Sequence, residues 1–249
     1  MTLKTAEEVK VKVLIDDRSL KYTNLLPAHG LSIYFEIKGK GETERVLFDV
    51  GPSFKILLHN AIKLGVNLGK LDYIFISNWK KPHAASLDEL STKCSPKMVY
   101  SPPLTESLTL YRPKDLKNLR IIESINPTKL SAYVYSTGVR GTKWFKEHAM
   151  VIKFRDSSSL IAIGCAAYGF EGLLEGALSI SRKPKALIGG LHLSARDYIG
   201  LKNLRHYIKR LNLKYLIPLH CTSPFIRRKI IMPRDLVTEC GVGLEFTLT

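Results

Sequence analysis

The chain has 249 residues and a mass of 28.0 kDa, with 45% hydrophobic residues and a mean hydropathy of -0.01. This composition supports a folded core and argues against a disordered chain. Lysine and arginine number 38 against 22 aspartate and glutamate, giving a formal net charge of +16. Such an excess indicates a polyanionic partner, with nucleic acid the first class to consider and an anionic membrane surface the second.

Membrane insertion and a disulfide scaffold are not expected from the sequence. No apolar run approaches the roughly 20 residues that a spanning helix needs, and we expect no signal peptide in residues 1–8. The cysteines, Cys94, Cys165, Cys221 and Cys240, form no CxxC pair, so neither a disulfide framework nor a zinc knuckle is predicted. We expect a reduced, cytoplasmic protein.

The first half of the chain is rich in β-branched and aromatic runs that predict strands. Between them, residues 54–64 carry apolar side chains at helical spacing and end at Gly65, which predicts a helix. Residues 84–90 predict a shorter helix after the strand at 73–76. The predicted strands of this half are 9–15, 31–37, 46–51, 73–76, 98–101, 120–123 and 133–136.

The second half begins with a predicted hairpin, 149–154 and 160–164, and then alternates helix and strand. Its predicted helices are 170–181, 199–211 and a shorter one near 223–228, and its predicted strands are 186–189, 215–218 and 243–248. Strand-rich stretches followed by helices suggest two sheets packed together with helices outside. No low-complexity linker divides the chain, so we expect a single domain over residues 1–249.

Several short signatures occur in order along the chain. They are His29-Gly30-Leu31-Ser32, Phe48-Asp49-Val50-Gly51, Asn60-Ala61 with Leu64-Gly65, the stretch from Ile74 to Leu87, Thr137-Gly138 with Glu147, Gly164-Cys165-Ala166-Ala167-Tyr168-Gly169, Gly189-Gly190-Leu191-His192-Leu193 and His220-Cys221-Thr222. Each is weak alone, but the ordered set resembles the metallo-β-lactamase superfamily, and is most similar to its dihydropterin-ribofuranosylaminobenzene-phosphate synthase-like branch. The resemblance covers nearly the whole chain. It implies an α/β fold, the αββα sandwich of two mixed β-sheets with helices on the outside.

The resemblance also implies where metal ligands would lie. The family's hallmark is a Ser-His-x-His-x-Asp-His loop, followed later by Gly-Cys-Ser-His and His-Cys-Thr. The residues of this chain at the ligand positions are Asn78, Lys80, Pro82, His83, Ala167 and His220. Only His83 and His220 keep an imidazole, and two imidazoles fall short of the three protein ligands usual at catalytic zinc. Lys80 would place an ammonium group, which has no lone pair, where a cation should bind.

We therefore predict a vestigial site with no metal, no cofactor and no catalytic residue. His192 and His220 are interpreted as core or rim histidines, and Cys165 and Cys221 as packing residues. Asp49 is expected to accept backbone N–H groups in its loop. A nucleophilic arrangement of Ser77, His83 and Asp49 has no nucleophile-elbow sequence to support it.

A basic window lies between Asp197 and Asp235, where no acidic residue occurs. On the predicted helix 199–211, the apolar residues should face the sheets and the basic ones the solvent. The residues expected to contact RNA are Lys80, Lys81, Lys202, Arg205, His206, Lys209, Arg210, Arg227, Arg228 and Lys229. Trp79, Tyr111 and Trp144 lie near basic clusters and would stack on unpaired bases if exposed, or belong to the core if buried.

These observations lead to a specific hypothesis, a non-catalytic metallo-β-lactamase-like pseudoenzyme that binds structured RNA. Ribosomal RNA and neighbouring ribosomal proteins are the expected partners, and no membrane is expected, because RNA phosphates would neutralise the high charge. One alternative is a metal-dependent hydrolase or nuclease with a mononuclear site at His83 and His220. Another is a scaffold subunit that binds acidic proteins.

Overall fold

The computed structural model of the protein describes residues 4–21, 24–94, 98–114, 119–231 and 239–249. The first part of the chain forms β1 (Ala6–Ile15), β2 (Ser32–Gly39), β3 (Glu42–Phe48), α1 (Phe54–Lys63), a 3-10 helix (Leu68–Lys70), β4 (Tyr73–Phe75), α2 (Lys81–Ala84), α3 (Leu87–Cys94), β5 (Met98–Ser101) and β6 (Arg120–Glu123). The remainder forms β7 (Pro127–Lys129), β8 (Val134–Thr137), β9 (Arg140–Gly141), β10 (Lys146–Glu147), β11 (Met150–Lys153), β12 (Ser158–Ile163), α4 (Glu171–Ile180), β13 (Lys183–Gly189), α5 (Tyr198–Leu211), β14 (Tyr215–Pro218), α6 (Pro224–Ile230) and β15 (Glu245–Leu248).

Two large mixed sheets carry the fold. One has the strand order β15-β1-β2-β3-β4-β5-β6, and the other has the order β14-β13-β12-β11-β8-β7. In the first sheet β1, β2 and β3 are antiparallel, while β3 to β6 are parallel. In the second sheet β12, β13 and β14 are parallel, and β11 pairs antiparallel with both β12 and β8.

The buried side chains divide into three layers that explain how the sheets and helices stack. The central layer joins the two sheets, with Phe35 and Phe48 of the first packed in one cluster with Met150 and Leu160 of the second. A second cluster packs α1 and α3 on the outer face of the first sheet. A third packs α4 and α5 on the outer face of the second sheet. This arrangement confirms the predicted α/β sandwich.

The predicted helix at 84–90 is two helices, α2 and α3, because the chain turns between them. Ser86, in this turn, donates both its backbone N–H and its hydroxyl to the carbonyl oxygen of Gly51, at 3.1 Å each. This contact ties the loop after β4 to the loop after β3. The short strands β7, β9 and β10 were not predicted, because two or three residues are too few to display a periodicity.

The loops that follow β3, β4, β12, β13 and β14 leave the carboxyl ends of their strands and meet at one edge of the sandwich. In α/β sheets this edge is where ligands usually bind. Among the described residues, no helix is long and apolar enough to cross a membrane.

Candidate metal centre

Asp49 organises the first wall of the site. It follows β3 with a φ of 55° and is fully buried. Its carboxylate accepts the Ser77 backbone N–H, the Ser77 hydroxyl and His83 Nδ1–H, each at 2.7 Å. Gly164 closes over this group, since a Cβ there would lie 1.9 Å from Ser77 Oγ. Asp49 thus accepts a backbone N–H group, as predicted, and in addition orients the Ser77 hydroxyl and the His83 ring.

The same geometry excludes a nucleophilic triad. Ser77 Oγ and His83 Nδ1 both bond to one oxygen of Asp49, Oδ2. The serine hydroxyl thus donates to the carboxylate, and the histidine is not placed as its base. A triad needs the serine to donate to the histidine, so Ser77 has a structural role.

His83 presents an unsatisfied nitrogen to the interior of the site. Its ring is buried, and its Nε2 meets the geometric criteria for a hydrogen bond with no described residue, although the Cys165 sulfur is close enough to act on its charge. Burial lowers the pKa of the ring, but the Asp49 carboxylate outweighs this effect and raises the pKa to about 10. Buried polar atoms are rarely without a partner. A histidine whose Nδ1–H is held by a carboxylate is the usual form of a metal-binding imidazole.

His220 has the same arrangement on the opposite wall. Its Nδ1 lies 2.7 Å from Oδ1 of Asp17, and its backbone N–H donates to Asp16 at 2.6 Å. The His83 and His220 ring centroids are 5.2 Å apart, with the planes at 67°. The two histidines that the sequence retains at ligand positions therefore do meet in space, each oriented by its own carboxylate.

Arg227 forms an ion pair with Asp16, the residue that accepts the His220 backbone N–H. It is 4% exposed, and its Nη1 lies 2.6 Å from Oδ2 of Asp16, while its Nε donates to the carbonyl of Thr222. Its guanidinium is therefore committed to a buried ion pair. The prediction that Arg227 lies on an RNA-binding surface is wrong, because its side chain is not available to solvent.

Two cysteines and a further histidine complete the site. Cys165 Sγ lies 3.3 Å from Cys221 Sγ and 3.4 Å from His192 Nδ1. The hydrogen bond from the Cys221 thiol, assisted by His192 and His83, lowers the pKa of Cys165 well below its usual value. The same contact and burial raise the pKa of Cys221. Cys165 therefore favours the thiolate form, which is the form that binds metals.

These side chains form what we call the thiol–imidazole cluster, made of His83, Cys165, His192, His220 and Cys221. Within the group His83, His220 and Cys221, and within the group Cys165, His192 and Cys221, the ligand atoms lie within 4.8 Å of one another. Ligands that share one zinc ion lie about 3.3–3.8 Å apart, given bonds of about 2.0–2.3 Å in a tetrahedron. A third group, Asp17, His29 and His220, lies on its outer side.

Sequence reasoning missed three members of this cluster. The sequence predicts Cys165 and Cys221 as packing residues, because they lie beside apolar strands with no activating base next to them in the chain, and His192 as a core or rim histidine. A signal was nevertheless present, since each lies inside a motif that follows a strand. Chemically capable side chains after several strands of one sheet should have been expected to converge.

The other predicted ligand positions play structural roles. The Asn78 side chain donates to Ser77 Oγ and accepts from the Lys80 backbone N–H. Lys80 Nζ lies 4.5 Å from the centroid of the Phe145 ring, where a cation–π contact holds it. The ammonium group of Lys80 is therefore directed to an aromatic ring at the site.

Glu147 fixes the loop that carries Cys165. It is 3% exposed, and its two carboxylate oxygens accept the backbone N–H groups of Ala166 and Ala167 at 2.8 and 3.1 Å. Burial raises the pKa of Glu147 to about 7, although these two N–H groups act in the opposite direction. The position that the resemblance assigns to a ligand, Ala167, thus contributes a backbone contact.

The predicted basic face has a definite place in the fold. The basic residues of α5, Lys202, Arg205, His206, Lys209 and Arg210, are all exposed, as are Lys81, Arg228 and Lys229, while Lys80 is half-buried. Trp79 is buried and belongs to the core, whereas Trp144 is 54% exposed. Contact of this face with RNA stays a prediction.

Comparisons with known proteins give related enzymes. No family model matches the chain. It is 21% identical, over 90% of both chains, to 7,8-dihydropterin-6-methyl-4-(β-D-ribofuranosyl)-aminobenzene-5′-phosphate synthase of Methanocaldococcus jannaschii. The crystal structure of Tm1679, a metal-dependent hydrolase of the β-lactamase superfamily, matches with a TM-score of 0.72 and 22% identity, covering 96% of this chain and 98% of that one. Human tRNase Z, short form, matches with a TM-score of 0.60 and 14% identity, covering 95% and 98%.

These relatives overturn the predicted function. The prediction of a non-catalytic ribosomal protein is wrong, because the similar proteins named here are enzymes and none is ribosomal. The error arose from treating four missing ligand positions as an emptied site. The structure instead brings the thiol–imidazole cluster together around the two histidines that remain. The alternative of a metal-dependent hydrolase agrees better with these relatives.

The fold comparison and the archaeal relative agree with the ordered motifs. The structural match extends over nearly the whole chain, and the relative's name corresponds to the branch that those motifs indicate. The chain therefore has the metallo-β-lactamase fold, and its resemblance to the metallo-β-lactamase superfamily is confirmed.

Proposed function

We propose that the protein is a metal-dependent hydrolase whose metal is held by the thiol–imidazole cluster. The observation that carries this proposal is the buried Nε2 of His83, which has no hydrogen-bond partner among the described residues and belongs to a group with His220 and Cys221. Without metal, the pKa of about 10 keeps a proton on this buried nitrogen, and a buried N–H group without an acceptor costs free energy. A cation that displaces this proton would bind the nitrogen and remove the cost.

The donor set fits zinc best. His83, His220 and Cys221 would hold the ion, with Cys165 and His192 beside them. Thiolate and imidazole ligands favour zinc over the oxygen-preferring magnesium and manganese ions. A bound zinc ion would supply Lewis-acid chemistry, which polarises the bond to be hydrolysed.

The surrounding residues would position this set. Asp49 and Asp17 accept the Nδ1–H groups of His83 and His220, so the Nε2 atoms are the nitrogens left for a ligand. Glu147 holds the loop of Cys165 through two backbone contacts. Carboxylates that orient metal-binding histidines also increase their basicity.

We further propose that the substrate is an anionic ester. Contacts with Cys165 raise the pKa of His192 and of Cys221, and the Lys80 ammonium group opposes both shifts through space, so its charge acts at the cluster. His192 and His29 are exposed beside it. A cationic approach concentrates and orients anionic substrates.

Lys80 provides a direct test of this substrate class. Lys80→Met should raise KM for a chromogenic phosphodiester at least about tenfold, equivalent to about 1.4 kcal/mol of binding, while Lys80→Arg should retain most of the affinity because it keeps the charge. Lys81→Met, on the neighbouring exposed position, is the matched control. Equal KM values for all four proteins would remove Lys80 from the substrate site.

A second candidate activity is favoured by one specific observation. The archaeal relative covers 90% of this chain, and the compound in its name carries a 5′-phosphate, which Lys80 would suit. A synthase acting on a phosphorylated pterin conjugate would use the same cluster. Failure of the metal-loaded chain to hydrolyse any simple ester would favour this second candidate.

We also propose that the enzyme is cytoplasmic. All four cysteines are free thiols, and the cluster needs Cys165 and Cys221 reduced in order to bind metal. A compartment that keeps thiols reduced would maintain them.

Metal content and hydrolysis measured on one preparation test the proposed function. The full chain, purified under reducing conditions, should contain stoichiometric zinc by elemental analysis. It should hydrolyse the chromogenic phosphodiester, lose this activity with a chelator and regain it with zinc. His83→Ala with His220→Ala should lose both properties, whereas His59→Ala, on α1, should lose neither. A folded chain that neither contains nor takes up zinc would overturn the proposal.

A further inference from the structure

Cys165 and Cys221 approach each other because of the way three neighbouring strands end. Cys165 follows β12 and Cys221 follows β14, and β13 lies between these strands in the sheet. The residue after β13 is Gly190, where a Cβ would lie 2.3 Å from the carbonyl oxygen of Gly164 and 2.4 Å from that of His220. Only a residue without a side chain lets the two flanking loops close over the end of β13.

The resulting thiol contact is short and specific. The sulfur atoms are 3.3 Å apart, and a disulfide bond brings two sulfurs to about 2.05 Å. The remaining approach of about 1.2 Å is within the range of a side-chain rotation combined with a small loop movement. Across the described part of the chain, the other two cysteines, Cys94 and Cys240, make no such contact with another sulfur.

The two thiols also differ in access to solvent, as a reactive pair requires. Cys221 is half-buried and can be reached from outside, whereas Cys165 is 2% exposed and lies behind it. A small oxidant would therefore meet Cys221 first, with Cys165 already in position to react next. His192 flanks Cys165 at 3.4 Å and is itself exposed.

We propose that Cys165 and Cys221 are a reversible oxidation site that forms an intramolecular disulfide bond. The oxidant is a low-molecular-weight disulfide of the glutathione class. The Cys221 thiol passes its proton to the adjacent Cys165 sulfur, and the Cys221 thiolate attacks one sulfur of this disulfide, forming a mixed disulfide and releasing one small thiolate. That thiolate takes the proton from Cys165, and the Cys165 thiolate then attacks Cys221 Sγ, forming the protein disulfide and releasing the second small thiolate. The two protein thiols are oxidised, and their two protons pass to the two small thiols that are formed.

This site has a consequence for metal binding that rests on the proposed function. Both sulfurs belong to the thiol–imidazole cluster, and a disulfide sulfur is no longer the thiolate that binds zinc. Oxidation would therefore remove Cys165 and Cys221 from the donor set, and reduction would restore them. Bound zinc should in turn protect the pair from the oxidant.

The test uses the full chain with Cys94→Ser and Cys240→Ser, so that only the pair remains. After removal of metal with a chelator, oxidised glutathione should abolish both free thiols, lower the intact mass by two hydrogens and join the peptides of Cys165 and Cys221 in a non-reducing digest. Dithiothreitol should restore both thiols. With Cys165→Ser added, the chain should instead gain one glutathione on Cys221. Persistence of both thiols, or glutathione retained on Cys221 when Cys165 is present, would overturn the inference.

Zinc measured on the same protein separates the two proposals. Formation of the disulfide in a chain that never binds zinc would leave the oxidation site standing and remove the proposed hydrolase. Stoichiometric zinc in a chain whose pair stays reduced under oxidised glutathione, after the metal is removed, would do the reverse.

Discussion

At the scale of single residues, the site depends on carboxylates that hold histidine rings in one orientation. Asp49 accepts from His83 Nδ1 while also accepting the backbone N–H and hydroxyl of Ser77. Because Nδ1 is used in this way, Nε2 is the His83 nitrogen that can bind a metal ion. Because outer carboxylates raise the basicity of the ligand and fix its direction, their loss weakens metal binding without removing any ligand.

Replacement of Asp49 tests this role. Asp49→Asn should lower the affinity for zinc by about 10- to 100-fold, measured by competition with a chromophoric chelator. Asp72→Asn is the matched control, because Asp72 accepts the Arg45 backbone N–H at the opposite end of β3 and β4. Equal affinities for the wild type and Asp49→Asn would show that His83 needs no carboxylate partner or binds no metal.

At the scale of elements, the decisive feature is the set of loops that follow parallel strands. The loop after β12 carries Cys165 and is fixed by Glu147, which lies at the end of the two-residue strand β10. A carboxylate that accepts two buried N–H groups cannot be replaced by an amide without placing a donor against a donor. The conformation of this loop is therefore expected to depend on the charge and shape of the Glu147 side chain.

Glu147→Gln should lower the free energy of unfolding by about 1–3 kcal/mol, because at least one buried N–H group loses its acceptor. Chemical denaturation monitored by circular dichroism measures the change. Glu175→Gln, on the exposed face of α4, should change stability by less than about 0.5 kcal/mol. A Glu147→Gln protein as stable as the wild type would mean that the loop is held by other contacts.

The sequence allowed the elements to be predicted more fully than the site. Strands such as Tyr215–Pro218 and helices such as Tyr198–Leu211 follow from local periodicity, which the chain displays directly. The cluster could not be found this way, because its members come from loops more than 50 residues apart in most pairs, and their proximity follows from sheet order. A comparison with the family's ligand positions does not identify Cys165 and Cys221. Their sulfur atoms are 3.3 Å apart only because the fold brings the two loops together.

At the scale of the whole molecule, the buried histidine His148 makes the stability of the folded protein depend on pH. Its Nε2 donates to the carbonyl of Ile76, its Nδ1 accepts from Ser136, and its ring stacks on Phe75 at 4.2 Å. Burial lowers the pKa of His148 to about 3. The folded protein therefore keeps this ring neutral at a pH where the unfolded chain, with a pKa near 6.5, binds a proton.

The sign of the pH dependence follows from this difference. Above pH 6.5 the ring is neutral in both states and adds no pH dependence. As the pH falls from 6.5 towards 3, only the unfolded state gains the proton, so stability should decrease by up to about 1.4 kcal/mol per pH unit from this group. Urea unfolding of the wild type, His148→Gln and the exposed-site control His206→Gln measures it. The His148→Gln slope should be smaller by that amount, and identical slopes in all three proteins would contradict the assignment.

The net charge of +16 is also consistent with an enzyme that attracts anionic substrates. Positive charge far in excess of negative charge raises the local concentration of anionic ligands and their rate of arrival. The exposed basic side chains of α5 belong to the second sheet's outer layer, on the element that follows the His192 loop. This charge therefore fits the anionic substrate that we propose.

The central claim is that a thiol–imidazole cluster binds a metal ion in this chain, and titration of the reduced, metal-free protein with cobalt(II) tests it most directly. Thiolate ligands give cobalt a near-ultraviolet charge-transfer absorption, and four-coordinate cobalt gives intense visible bands. We predict that both appear and saturate at a stoichiometric ratio, that zinc displaces them, and that Cys221→Ser or His83→Ala abolishes them in a folded protein. Titration without any charge-transfer band, in a protein whose thiols are verified as reduced, would contradict the account.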